Sequence, residues 1–180
     1  LFVNLNTTIL PSYLRVGSRY PLLGDLRMKK AFIEATSSER TISDIVSDSG
    51  KLDLYVPKAI RYFATASRVD LEREQEILSF DSRRMRDLTQ VLVNSSFFYW
   101  YWRVVGNGFQ ISSSDLLNLP IPSALVAEKM NSEIERMAER LHRNRHRLTV
   151  KKSNLGEIRN IKYDLDNILM SDLDELVQRI

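Results

Sequence analysis

The sequence predicts an α+β fold: a small β-containing domain packed on an aromatic-rich helix, followed by an α-helical hairpin. Three observations predict it. Residues 52–67 alternate apolar and polar side chains, which is the period of a half-buried strand. Leu88, Val91, Leu92 and Ser95 lie at helical spacing and lead into six consecutive aromatics, Phe97-Phe98-Tyr99-Trp100-Tyr101-Trp102. Met130, Ile134, Met137 and Leu141 recur at steps of 4, 3 and 4, a helical seam. The pattern divides the chain into a β-containing region 1–122 and a helical region 123–180.

In chain order, residues 1–10 are apolar and β-branched and stop at Pro11. Gly17, Pro21 and Gly24 interrupt residues 15–26 with turns. Residues 26–36 suit a short helix, and 41–46 a weak helix or strand. Pro57 breaks the β segment and marks an edge strand or a bulge. Residues 77–80 form a further short strand. Asp81 or Ser82 caps a helix from Arg83 that runs through the aromatics to Gly106. Ser113 or Ser114 caps a short turn of helix that Pro120 and Pro122 end. A long helix covers 128–148. A second starts near Leu155, with Ile158, Ile161, Leu165 and Ile168 on one face, and Ser171 caps a last one with Leu173, Leu176 and Val177 as its apolar face.

Composition narrows the function. The chain has 180 residues, 43% hydrophobic and 27% charged, with a net charge of +3. That balance permits a polyanionic partner without requiring one. Residues 128–152 hold eight Lys/Arg against four Glu, whereas 153–180 hold six acids against three bases. The chain has no cysteine, which removes disulfides and thiolate metal sites and fits a cytoplasmic protein. No apolar run reaches roughly 18 residues, so no membrane span is expected. A start at Leu1 suggests a piece of a longer chain.

Signals for catalysis are lacking. Gly106-Asn107-Gly108 lacks the third glycine and the following helix that a dinucleotide site needs. His142 and His146 stand at i, i+4, but Arg143, Arg145 and Arg147 surround them and repel a cation. Asp48, Asp53 and Lys58 lack the tight spacing of a nuclease site. The expected catalytic and metal sets are therefore empty, and no cofactor is expected in this segment.

The basic residues carry the binding expectation. Arg15, Arg19, Arg27, Lys29 and Lys30 form one cluster; Lys58, Arg61 and Arg68 with Tyr62 a second; Arg83, Arg84 and Arg86 a third. On the helix 128–148, acids pair with bases as far as Leu141, and beyond it Arg143, Arg145 and Arg147 continue alone. Arginine and lysine suit phosphates; arginine, asparagine and glutamine can also reach base edges. The residues expected to touch DNA are Arg15, Arg19, Lys58, Arg61, Tyr62, Arg83, Arg84, Asn107, Gln110 and Arg143. The aromatics are assigned to the core, because base-stacking platforms spread aromatics among basic residues, and here only Arg103 is adjacent.

The run 83–122 also carries a family likeness. Its phrases are Val93-Asn94-Ser95-Ser96 into Phe97–Trp102, Asn107-Gly108-Phe109, Ser114-Asp115-Leu116, and Asn118-Leu119-Pro120-Ile121-Pro122. It resembles the C-terminal target-recognition region of type II and type IIG restriction-modification N6-adenine DNA methyltransferases. The resemblance is weaker over 52–180 and loose over 1–50. It implies a double-stranded DNA recognition module that works with a methyltransferase catalytic domain of the same parent chain. S-adenosylmethionine and the Asn-Pro-Pro-Tyr catalytic motif would belong to that domain, since neither glycine motif nor catalytic motif occurs here. Two alternatives stand beside it: a type I-like specificity subunit fragment, and a helical protein–protein interaction module using the seam from Met130 to Leu141.

Overall fold

A computed structural model of the chain describes residues 12–60, 65–144, 149–154, 158–163 and 167–178. The apolar run 1–10 and the middle of the expected second β segment lie outside them. The fold is α+β, and the antiparallel pair β1 (Leu52–Pro57) and β2 (Gln75–Phe80) runs in register from Leu52↔Phe80 to Pro57↔Gln75. Proline lacks a donor, and Pro57 ends its strand accordingly. A single bridge from Tyr55 to Ser67 touches the other edge of β1.

α1 (Leu26–Ala35) starts at Asp25, whose carboxylate accepts the Met28 N–H at 2.8 Å. The stretch 41–46 contains a 3-10 turn, Ile42–Asp44, with a capping box between Thr41 and Asp44. α2 (Arg83–Asn94) lies across the β pair and against α6 (Asn131–Asn144). Leu54, Val56, Leu78 and Phe80 of the pair, Leu88, Val91 and Leu92 of α2, and Ile134, Ala138 and Leu141 of α6 join one buried cluster. Each such side chain stabilises by roughly 1.5–3 kcal/mol when fully buried. The seam of α6 is thus occupied within the chain by α2, which corrects the idea that it waits for a partner helix.

The expected single helix into the aromatics is instead two. Ser95, at φ −81° and ψ 160°, ends α2 and caps α3 (Ser96–Val105). The Asn94-Ser95-Ser96 phrase is this joint, and each side chain takes a different neighbour. Asn94 Nδ2 donates to the Ala66 and Gln90 carbonyls, Ser95 Oγ donates to the Leu92 carbonyl, and Ser96 donates from N and Oγ to Asp174. Asp174 also places a carboxylate at the positive end of α3. The turn of the chain aims Phe98, Tyr101, Trp102 and Val105 inward at helical spacing, while Phe97, Tyr99 and Trp100 are half-buried.

α4 (Ser113–Leu117) is capped by Ser112, one residue before the expected cap, through a box with Asp115. The Leu119-Pro120-Ile121 exit then pairs with residues 40–42: Ile42 N–H reaches the Leu119 carbonyl, and Ile121 N–H the Arg40 carbonyl. α5 (Ser123–Val126) and a 3-10 turn, Glu128–Met130, precede α6.

The helical hairpin is not formed. After α6 come two antiparallel strands, β3 (Thr149–Asn154) and β4 (Ile158–Tyr163), and then α7 (Asn167–Gln178). The residues read as one helical face, from Ile158 to Ile168, straddle a strand and a helix. Thr149, Val150, Ile158, Ile161 and Tyr163 are β-branched or aromatic and favour a strand. Ser171 lies inside α7 rather than at its start, so it is not the expected cap. Leu173, Leu176 and Val177 are buried, as their spacing required, and α7 packs on α3 and α2. No helix among the described residues is long and apolar enough to cross a membrane.

Candidate nucleic-acid interface

The C-terminal end of α3 carries a turn, 106–110, held at both sides. Gly106 closes α3 by donating to the Trp102 carbonyl at 2.7 Å. A side chain would not fit there: a Cβ on Gly106 would lie 2.6 Å from that carbonyl oxygen and 2.7–2.8 Å from the Trp102 indole. Asn107 Oδ1 accepts the N–H groups of Phe109 and Gln110 at 2.9 and 3.1 Å. Gly108 has φ +76°, and the Arg103 guanidinium lies 3.5 Å from where its Cβ would be. Beyond the turn, Ile111 is buried and its N–H donates to the Lys58 carbonyl at 2.8 Å. Gln110 is exposed, and Phe109 is 84% exposed.

A second segment reaches this end of α3. Leu22 N–H donates to the Val104 carbonyl at 2.8 Å. Upstream, Val16 and Arg19 form a bridge, and Arg19 donates to Asp115 at 2.8 Å. Asp115 is itself buried and caps α4, so Arg19 fastens the segment to the turn region. Arg15, Arg27, Lys30 and Arg103 are exposed and stand outside the ion pairs of the described residues. Residues 12–40 hold six Lys/Arg against three Asp/Glu.

The other residues expected at DNA do more local work. Lys58 pairs with Glu76 at 3.2 Å and Glu74 at 3.7 Å. Arg83 lies 3.6 Å from Asp87 and 3.3 Å from Glu135. Arg84 is half-buried and donates to the Val126 carbonyl, which ties α2 to α5. Arg143 pairs with Glu139 at 2.9 Å one helical turn away. Arg61 and Tyr62 lie outside the described residues, as does His146. The structure therefore holds Asn107 and Gln110 on one turn with the Lys58 backbone beside it, ties Arg19 to Asp115, and places Arg83 and Arg84 on α2 and Arg143 on α6.

Sequence reasoning missed the charge cluster between those two helices. Asp87 is 2% exposed and meets Arg68 at 3.2 Å and Arg86 at 2.8 Å. Arg68, 8% exposed, also reaches Gln90 at 2.8 Å and Glu139 at 3.1 Å. Burial lowers the Arg68 pKa against the opposing pull of Asp87. Hydrogen bonds from Arg143 and then Arg68 hold the Glu139 carboxyl below its ordinary value. The available signal was an aspartate beside Leu88 on the apolar side of a helix, which marks a paired buried charge. The cluster joins the β region to α2 and α6, and Arg68 Nη2, in ion-pair range of Asp87, makes no hydrogen bond among the described residues. Burial also raises the Tyr101 phenol, whose hydroxyl donates to the Asn118 carbonyl at 2.8 Å.

Among the described residues, no group of three His, Cys, Asp or Glu is placed to hold a metal ion. The Gly106-Asn107-Gly108 turn lies between α3 and α4. No family model matches this chain, and no curated protein or solved structure is similar enough to it to count as a match.

Proposed function

We propose that this chain is a sequence-specific double-stranded DNA recognition module of a larger adenine-specific methyltransferase or restriction enzyme, with the methyl-transfer site in another part of that enzyme. The observation that carries the reading is the Leu22–Val104 hydrogen bond, which lays Leu22 against the last turn of α3, where the exposed Arg103 precedes Val104. That end of the molecule carries the exposed Arg103 and the side-chain amide of Gln110, and Arg27 and Lys30 are exposed on α1, which follows Leu22 in the chain. Cations supply the phosphate attraction, and an exposed amide can reach a base edge. The resemblance over 83–122 supports the same reading. S-adenosylmethionine would bind the catalytic domain, and this chain would position the target adenine for it.

The test is selection of the 180-residue chain against a pool of randomised duplexes, with affinity then followed across KCl. Enrichment of one short sequence, with affinity falling steeply between about 50 and 200 mM salt, is the expected result. A folded chain that binds no duplex at low salt would overturn the proposal.

A second reading has one observation behind it. Leu22 and Leu26 are 72% and 76% exposed, with Tyr13 at 70%, and such side chains suit a protein neighbour. The methyltransferase catalytic domain of the parent chain would be that neighbour in the proposed assembly.

A further inference from the structure

Phe109 is the most exposed of the large apolar side chains among the described residues. A lone exposed apolar residue is ordinary. What distinguishes Phe109 is its mounting. Two N–H groups of the turn are bound by Asn107, Gly106 is wedged against Trp102, and the following Ile111 is buried and anchored to Lys58. The ring therefore projects from a turn whose ends cannot shift easily.

Its neighbours along the turn are donors. Arg103 lies along the Gly108 backbone, Gln110 is next in sequence, and Asn107 is exposed. A protein interface would set such a ring within an apolar centre. An exposed aromatic ring next in sequence to Gln110, on a turn that one guanidinium lies along, matches a base face beside a phosphate.

Resting on the DNA-recognition reading, we infer that Phe109 packs its ring on a base at a partly opened step of the duplex, while Arg103 holds an adjacent phosphate. Apolar wedges of this kind unstack a step and fix the position of the protein on it. Phe109 would then set register, and the neighbouring Gln110 would read the edge beside the opened step.

The experiment uses the whole chain, a set of duplexes carrying 2-aminopurine at successive positions, and the variants F109A, F109W and R103A. Phe109 and Arg103 are exposed, so these variants are expected to keep the fold, which circular dichroism and thermal melting verify. The expected result is a position-dependent rise in 2-aminopurine emission with the parent chain and F109W, absent with F109A. F109A should lose roughly 5- to 100-fold in affinity with an unchanged salt slope. R103A should lower that slope by roughly 0.9. F109A binding and brightening like the parent would overturn the inference and leave the DNA reading standing. An equal loss for F109A on heparin, which has no bases, would also overturn it. A parent chain that binds no duplex would overturn both.

Discussion

Between α2 and α6, Arg68, Arg83, Arg86 and Arg143 all face carboxylates, with Asp87 at their centre and Glu135 and Glu139 beyond it. Arg103 at the C-terminal end of α3, and Arg27 and Lys30 on α1, are exposed and stand outside the ion pairs of the described residues. The two regions use one residue type for opposite ends. In the first, burial makes an unpaired charge costly at Arg68 and Arg86, which meet Asp87, while the exposed Arg83 and Arg143 meet Glu135 and Glu139 at the surface. In the second, exposure keeps the charges hydrated and free to meet phosphate. The lesson is that a basic sequence cluster points to a polyanion only after its acids have been counted in space.

Removing the centre of the first region should have the largest effect. Asp87→Ala leaves Arg68 and Arg86, 8% and 12% exposed, without their buried partner. The expected loss is about 3–5 kcal/mol of stability, read from the urea midpoint at constant slope. An unchanged midpoint would show that the cluster is not a joint at all.

Gly106→Ala tests the second region's scaffold. The added methyl would meet the Trp102 carbonyl at 2.6 Å, so the helix end or the indole must move. A loss of about 1–3 kcal/mol is expected in thermal melting, together with weaker duplex binding. Melting and binding both like the parent would mean that the turn is not held as described.

The charge contrast itself is tested by binding. Neutralising Arg27, Lys30 and Arg103 together should lower the salt slope by roughly 0.9 for each phosphate that then goes without a cation. Neutralising Arg83 and Arg143 together should leave the slope near that of the parent. The reverse pattern would move the interface from α3 to α2 and α6.

Acid sensitivity sharpens the picture of the cluster. Glu139 has a folded-state pKa below its ordinary value of 4.5, because Arg143 and Arg68 donate to its ionised form. Its contribution is therefore complete above that value and is lost as pH falls from it through the folded pKa. Glu139→Gln should be less stable than the parent near neutrality, and the difference should close below about pH 4.5, near the ordinary glutamate value. A constant gap in urea midpoints across that range would exclude the carboxylate as the source. Arg143→Ala should cost least, about 0.3–0.5 kcal/mol, as an exposed pair one helical turn apart.

Several elements were legible in the chain because local periodicity defines them. The alternation through Leu52, Leu54 and Val56, the seam of Ile134, Met137 and Leu141, and the burial of Leu173, Leu176 and Val177 follow from a period of two or of 3.6. Others were not. Ile158 and Ile161 satisfy the spacing of a helix over too short a window, and β-branched residues around them settle into β3 and β4 instead. Ser95 suits a helix interior or a cap equally well; the break there depends on Ala66 and Asp174, distant in sequence, which bind the residues on either side.

The sequence by itself determined the α+β class, the packing of the run Phe97–Trp102 in or against the core, and the presence of a polar turn at Asn107, because side-chain pattern and glycine act locally. Only the tertiary structure decided which cations are free. Lys58 and Arg83 look no different from Arg27 and Arg103 along the chain. Their acids, Glu76 and Glu135, arrive from other elements, and electrostatic pairing depends on distance in space, over a few ångströms, that sequence separation does not encode.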